Sequence, residues 1–282
     1  MNGINKRINN ALVTYREEGP VALFSRTADF FLVKIGWFQD KLFLGKLVER
    51  RGNIAKLNGC KFDLSNPLIP TSAKSSFIQN TYERDERKII RKYLNPNLPV
   101  VELGASLGVV SCVTNKILNN PKDHVVVEAN PSLIPIIEKN KDLNNCQFSI
   151  LNRASGYGAS EATFYVNKKF LSGSSQRKTD KAISVPTITL KEICEKSGFK
   201  YFNLVCDIEG GEVDLVLNEN SLLQEKVCQI VLEVHPSVSG REVVEEMLRR
   251  LYKAGFERIR TGMYSTVVLL ENKKLRQMMI AK

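Results

Sequence analysis

Between about residues 8 and 50 bulky apolar side chains recur at helical spacing, with Leu23, Phe24, Phe30, Phe31, Ile35, Phe38 and Leu42 set among Arg26, Lys34, Lys41 and Lys46. This pattern predicts one or two amphipathic helices. Two short apolar runs within 54–64 then flank Asn58-Gly59, a dipeptide that readily takes the positive φ angles of a type I′ turn, so a β-hairpin is expected. Pro67 and Pro70 interrupt regular structure, and the polar stretch 72–76 reads as a loop or linker. From Tyr82 onward strand and helix signals alternate: a helix through 88–93, an apolar run at 98–103, a helix to about 119 and a strand at 125–128. Further strands are expected at 148–151, 162–166, 202–206, 229–234, 256–259 and 265–270. Such alternation is the signature of an α/β fold, a mostly parallel sheet with crossover helices on both faces. The chain therefore divides into an N-terminal helical and hairpin extension, 1–78, and a Rossmann-like domain, 79–282. At 282 residues it is long enough for that one domain and its extension.

The net charge of +11 favours an anionic partner, but the Lys and Arg residues are spread along the chain. An even spread reads as a solubilising surface, and no specific nucleic-acid partner is expected. The basic helical region 8–50 suits a cap packed on the domain or on a second copy of the chain. Its alternative is a helix lying on a membrane surface with Trp37 at the interface. Charges stand where a signal peptide needs an apolar run, and Lys34 interrupts the apolar stretch before it. Six cysteines without a CxxC pair give neither a zinc pattern nor a disulfide framework. A cytoplasmic protein is expected, with the inner membrane surface as a peripheral variant.

The most informative segment is PVVELGASLGVV, residues 99–110, an apolar strand ending at Glu102 and leading through Gly104 and Gly108 into a helix. Glycines let a backbone approach a ligand closely, and the helix start offers unpaired N–H groups. A dinucleotide-binding turn would read GxGxxG, whereas this one reads ExGxxxG. An acid at Glu102 would repel a pyrophosphate but can accept a hydrogen bond, directly or through water, from a cationic amino-acid group. Glu128 ends the next strand, where an acid can hold both hydroxyls of a ribose. The expected cofactor-binding set is Glu102, Gly104, Ala105, Ser106, Gly108, Glu128, Ala129, Arg153, Ala154 and Asp207.

Two more strand ends carry acids. Asp207 and Glu209 alternate along an extended backbone and face apart unless the chain turns, which Gly210 and Gly211 permit. Glu233 and His235 share one face by the two-residue period of a strand. His235 beside an acid is a candidate general base. His124, next to Asp123 and ahead of its strand, is expected at the surface.

These three segments in this order, with Tyr82-Glu83 ahead of them and VPTITL at 185–190, resemble the FkbM family of methyltransferases over about residues 80–270. The most specific piece is DIEGGE, 207–212, similar to the family's D-(V/I)-E-G-x-E; ELGASLG and VVVEANP support it. The chain departs from the family at Cys206, where a lysine is usual, at Ser106 for asparagine, and at Lys191 for aspartate. The resemblance implies a class I methyltransferase fold with a seven-stranded sheet, S-adenosylmethionine as methyl donor, and a hydroxyl acceptor on a sugar, glycan or related natural product. His235, Glu209 and Glu83 are the candidate bases, with Asp207 and Glu209 positioning donor and acceptor, if needed through a divalent cation. The competing readings are a nicotinamide-dependent oxidoreductase and a non-catalytic nucleotide-binding protein. The 170–181 stretch, with Ser172 to Ser175 inside it, is a candidate substrate loop.

Overall fold

A computed structural model of the chain describes residues 40–166, 173–174, 182–261 and 266–280. The helical pattern expected before residue 40, Trp37 included, and the 170–181 stretch apart from Gly173 and Ser174 lie outside the described residues. The chain forms two compact units, Met1–Tyr82 and Glu83–Lys282.

In the first unit, α1 (Lys41–Arg50) begins at Asp40, whose Oδ1 accepts from the N–H groups of Leu42 and Phe43 at 2.8 and 3.2 Å. The antiparallel pair β1 (Ile54–Leu57) and β2 (Cys60–Asp63) follows, turning on Asn58 and Gly59 at φ of 51° and 81°. The expected loop at 72–76 is instead part of α2 (Thr71–Ile78). Pro70 supplies the extended residue before the first turn, and the Ser75 and Ser76 hydroxyls donate back to the carbonyls of Ser72 and Ala73. Serines satisfied in this way tolerate a helix, and burial of Phe77, stacked on Tyr82 with centroids 4.7 Å apart, gives the helix its packed face.

The second unit runs α3 (Arg84–Tyr93), β3 (Val100–Leu103), α4 (Val109–Ile117), β4 (His124–Glu128), α5 (Ile134–Leu143) and β5 (Ser149–Asn152). A small sheet follows, β6 (Ala154–Ser155), β7 (Glu161–Val166), β8 (Gly173–Ser174) and β9 (Ala182–Ile188), paired in the order β6-β9-β7-β8. Then come α6 (Leu190–Ser197), β10 (Phe202–Cys206), α7 (Glu212–Lys226), β11 (Val227–Glu233), α8 (Pro236–Ser239) and α9 (Arg241–Lys253). The chain closes with β12 (Phe256–Ile259), β13 (Val267–Asn272) and α10 (Lys273–Ile280).

The main sheet has seven strands in the order β12-β13-β11-β10-β3-β4-β5, with β13 antiparallel to both neighbours and the five from β11 to β5 parallel. The strands β3, β4 and β10 are buried at every position, as strands covered on both faces must be. Alternate residues feed opposite cores: Val101, Leu103, Leu204, Cys206, Ile230 and Leu232 pack with Ile193, Leu215 and Met247 of α6, α7 and α9. Val100, Val205 and Val231 turn the other way, onto Ile89 and Ile90 of α3 and Val110 of α4. The chain leaves β3 toward β4 and β5, then returns to lay β10 against the other side of β3. The loops leaving β3 and β10 thus diverge at the carboxyl edge, the switch point where ligands sit in open α/β sheets. Glu102, Glu128, Asp207 and Glu233 all lie at that edge.

All six cysteines are buried and none forms a disulfide. Among the described residues no helix is long and apolar enough to cross a membrane.

Candidate active site

The loop after β3 is fixed from three sides. Gly104 N–H donates to the Val127 carbonyl at 2.9 Å, and Asp207 N–H to the Leu103 carbonyl at 2.9 Å, so β4 and β10 both grip the turn. Gly104 has φ of 86°, and a Cβ there would lie 1.7 Å from the Asp207 carbonyl oxygen. Glu128 holds the third side: its Oε2 accepts from the N–H groups of Ala105 and Ser106 at 3.0 and 2.9 Å, and its Oε1 from Asn130 N–H at 2.7 Å. Burial raises the pKa of this carboxyl, and the N–H donors oppose the rise. Ala129 N–H is a fourth backbone donor to the same carboxylate. Asn152, not singled out in the sequence, donates from Nδ2 to the carbonyls of Glu128 and Ala129 at 2.8 and 3.1 Å. Arg153 N–H reaches the Glu128 carbonyl at 3.2 Å, and Ala154 is buried just beyond it. Gly104, Ala105, Ser106, Glu128, Ala129 and Arg153 are thereby tied together, while Gly108, at φ of 74°, starts α4 and donates its N–H to the Ala105 carbonyl at 2.7 Å.

Glu102 departs from its expected place. Its side chain is fully buried, Oε1 accepting from Ser111 Oγ at 2.5 Å and Oε2 facing His124 Nε2 at 3.2 Å. The carboxylate supports the loop from beneath and does not present itself to an amino-acid group in the cleft. His124 is likewise buried, not at the surface. It starts a strand enclosed at all its positions, with Asn115 Nδ2 3.4 Å from Nδ1 and the Phe148 ring 5.4 Å away.

The second half of the site is the turn from Asp207 to Glu212. Glu209 sits at φ of 52° and Gly210 at 106°. This turn brings the two acids, which an extended backbone would part, to one side: His235 Nε2 lies 3.4 Å from Asp207 Oδ1 and 3.9 Å from Glu209 Oε2. A left-handed non-glycine residue is costly and persists where its surroundings fix it. Here Glu212 does the fixing. Buried at 1% exposure, it accepts from Ile208 N–H at 3.0 Å and Gly210 N–H at 2.9 Å, and its Oε1 faces His235 Nδ1 at 3.1 Å. Sequence reasoning quoted Glu212 only as the last letter of the signature; spacing alone does not reveal that it folds back under its own turn.

Two further acids join. Glu233, ending β11, accepts from Thr266 Oγ1 at 2.8 Å and shares a hydrogen bond with Glu86 of α3. Burial and then the neighbouring Glu233 push the Glu86 carboxyl up to about 8. Asp207 is likewise pushed up to about 8, by burial first and Glu233 second. Burial alone would lower His235, but the hydrogen bond and charge of Glu212, with Asp207 and Glu209, lift it to about 9. Glu83 caps the start of α3 at φ of 42°, and its charge faces Arg87 one turn on.

The family described as methyltransferase FkbM domain matches residues 102–258. No match was found among curated proteins. Solved structures with similar architecture include a protein of the NADB-Rossmann superfamily from Streptococcus agalactiae, 11% identical, covering 67% of this chain and 68% of that one at a TM-score of 0.41. TYW2 from P. horikoshii in complex with MeSAdo is 14% identical, with 77% and 68% covered at 0.40. Precorrin-6y C5,15-methyltransferase from Geobacter metallireducens is 9% identical, with 66% and 87% covered at 0.39.

Proposed function

The chain belongs to the FkbM methyltransferase domain family, and from that premise we propose that it is an S-adenosylmethionine-dependent O-methyltransferase acting on a hydroxyl of a sugar, glycan or related natural product. The observation that carries the reading is the pairing of two loops at the switch point. The loop from Gly104 to Gly108 is drawn onto Glu128, and beside it stands the acid-rich turn that holds Asp207 and Glu209 against His235. The first suits the nucleoside of the donor: the Glu128 carboxylate ends β4, where an acid can meet a ribose hydroxyl. The second suits a neutral polyol, for which carboxylates are ready hydrogen-bond acceptors.

When bound, S-adenosylmethionine supplies a methyl group already activated on a sulfonium. The protein's task is then chiefly alignment, and orientation of a bound acceptor is worth roughly 7–11 kcal/mol. Proton removal adds about 10²–10⁴-fold. His235 was the first candidate for that step, but both its ring nitrogens face carboxylates, Nδ1 to Glu212 and Nε2 to Asp207 and Glu209. We therefore assign the proton to Glu209, the carboxylate that lies farthest from the ring at 3.9 Å, and give His235 and Asp207 the work of orientation.

Calorimetric titration tests the reading. S-adenosylmethionine and its demethylated product are expected to bind at micromolar concentration, and NADH not to bind. Glu128→Ala should weaken donor binding about 10–100-fold, the loss of a charge-assisted hydrogen bond worth about 1.5–3 kcal/mol. Glu128→Gln, which keeps an acceptor for the Ala105 and Ser106 N–H groups, should recover part of it. Preference for NADH, or no donor binding at all, overturns the proposal.

A further inference from the structure

We propose that Asp207, Glu233 and His235 bind a divalent metal cation beside the methyl-transfer centre, an inference that rests on the reading of this site as one that takes a hydroxyl acceptor. An oxygen of each acid and a ring nitrogen of His235 lie within 4.8 Å of one another. Metal–ligand bonds of roughly 2.0–2.6 Å leave ligand atoms around one ion separated on that scale.

The hydrogen bonding around His235 points the same way. Glu212 Oε1 faces Nδ1 at 3.1 Å, and a carboxylate there holds the proton on Nδ1. Nε2, the nitrogen that binds a metal in exchange for its own proton, then points at Asp207 Oδ1, 3.4 Å away. That oxygen is sealed from solvent and accepts no hydrogen bond. A carboxylate that orients a histidine whose other nitrogen binds metal is the usual supporting arrangement in metal sites.

The sequence had suggested Asp207 and Glu209 as ligands. The geometry keeps Asp207, replaces Glu209 with Glu233 and His235, and leaves Glu209 free of the metal to act on the acceptor. Two carboxylates and one imidazole suit Mn²⁺ or Mg²⁺. Three protein ligands leave open positions, so the acceptor class that fits presents two neighbouring oxygens, as adjacent hydroxyls on a sugar ring do. In the transfer, the polarised acceptor oxygen forms a bond to the methyl carbon. The carbon–sulfur bond breaks with its electron pair returning to sulfur, and the hydroxyl proton passes to Glu209.

The test is titration of chelator-treated full-length protein with Mn²⁺, followed by electron paramagnetic resonance of the free ion. One saturable site per chain is expected. Glu233→Gln and Asp207→Asn should each weaken it at least about 100-fold, the upper end of what losing a merely supporting residue does. Because these variants can misfold, a melt of the wild-type protein serves as the second measurement: saturating Mn²⁺ should raise its transition as a ligand of the folded state does. No saturable binding, or binding that survives both substitutions in folded protein, overturns the metal site. Calorimetry with S-adenosylmethionine on the same samples separates the two ideas. Donor binding without Mn²⁺ binding sinks the metal alone, whereas Mn²⁺ binding without donor binding sinks the methyltransferase reading that the metal's role depends on.

Discussion

Gly104→Ala is expected to remove S-adenosylmethionine binding and to lower the thermal transition by roughly 5–15 °C, the shift that several kcal/mol produces in a unit of this size. Two costs act at once. The backbone at 104 has φ of 86°, and a left-handed conformation costs an L-residue about 1–2 kcal/mol. The added Cβ would also lie 1.7 Å from the Asp207 carbonyl oxygen, which is main chain and cannot swing aside as a side chain does. Relief requires the ends of β3 and β10 to part, and forced overpacking of this kind costs about 1–3 kcal/mol more. Parting them breaks the Asp207 N–H to Leu103 hydrogen bond and moves the donor loop away from the acid-rich turn together. Gly158→Ala separates the two costs, because Gly158 has the same φ of 86° with nothing within 4 Å of its missing Cβ. If Gly104→Ala melts with Gly158→Ala and still binds the donor, the close approach of the two loops has no part in forming the site.

Much of the scaffold was legible because periodicity reports burial. The runs that became β3, β4, β10 and β11 are apolar at nearly every position, as a sheet covered on both faces demands, and they end in acids where the sheet meets solvent. Less legible was anything decided by how a chain folds back on itself. The stretch 72–76 looked like a loop because serine is a weak helix former, and the buried Phe77 that fixes the helix is a single residue in the sequence. His124 and Glu102 looked like a surface base and a ligand-facing acid. They are partners across adjacent strands, a pairing that no local pattern encodes. Glu86 is the extreme case: it lies on a helix so rich in charge that an acid draws no notice, yet it meets Glu233 from the far end of the chain.

Glu212→Ala should destabilise the second unit by about 3–5 kcal/mol, the usual cost of removing one partner from a buried charged pair, and cut methyl transfer while leaving donor affinity within about threefold. The side chain accepts from the N–H groups of Ile208 and Gly210, and it sets the ring of His235. Without it those hydrogen bonds are lost, at about 1–3 kcal/mol for each donor left unsatisfied before water enters. Glu209 then has no reason to stay at φ of 52°, and Asp207, Glu209 and His235 lose their common side. The donor loop is held separately, by Glu128 and β4, so affinity for S-adenosylmethionine should persist where turnover fails. The imidazole nitrogen spectrum gives a readout independent of the acceptor, because the chain has only two histidines and the buried His124 serves as the internal reference. In the wild-type protein His235 should stay doubly protonated until the pH nears about 9 and above it keep its proton on Nδ1; in Glu212→Ala that transition should fall and the neutral ring should exchange between tautomers, and Glu212→Gln, which retains one acceptor oxygen, should restore part of the preference and part of the stability. An unchanged His235 spectrum in the alanine variant, with full thermal stability, would mean that the signature turn stands without its final acid and that Glu212 is not what brings Asp207 and Glu209 together.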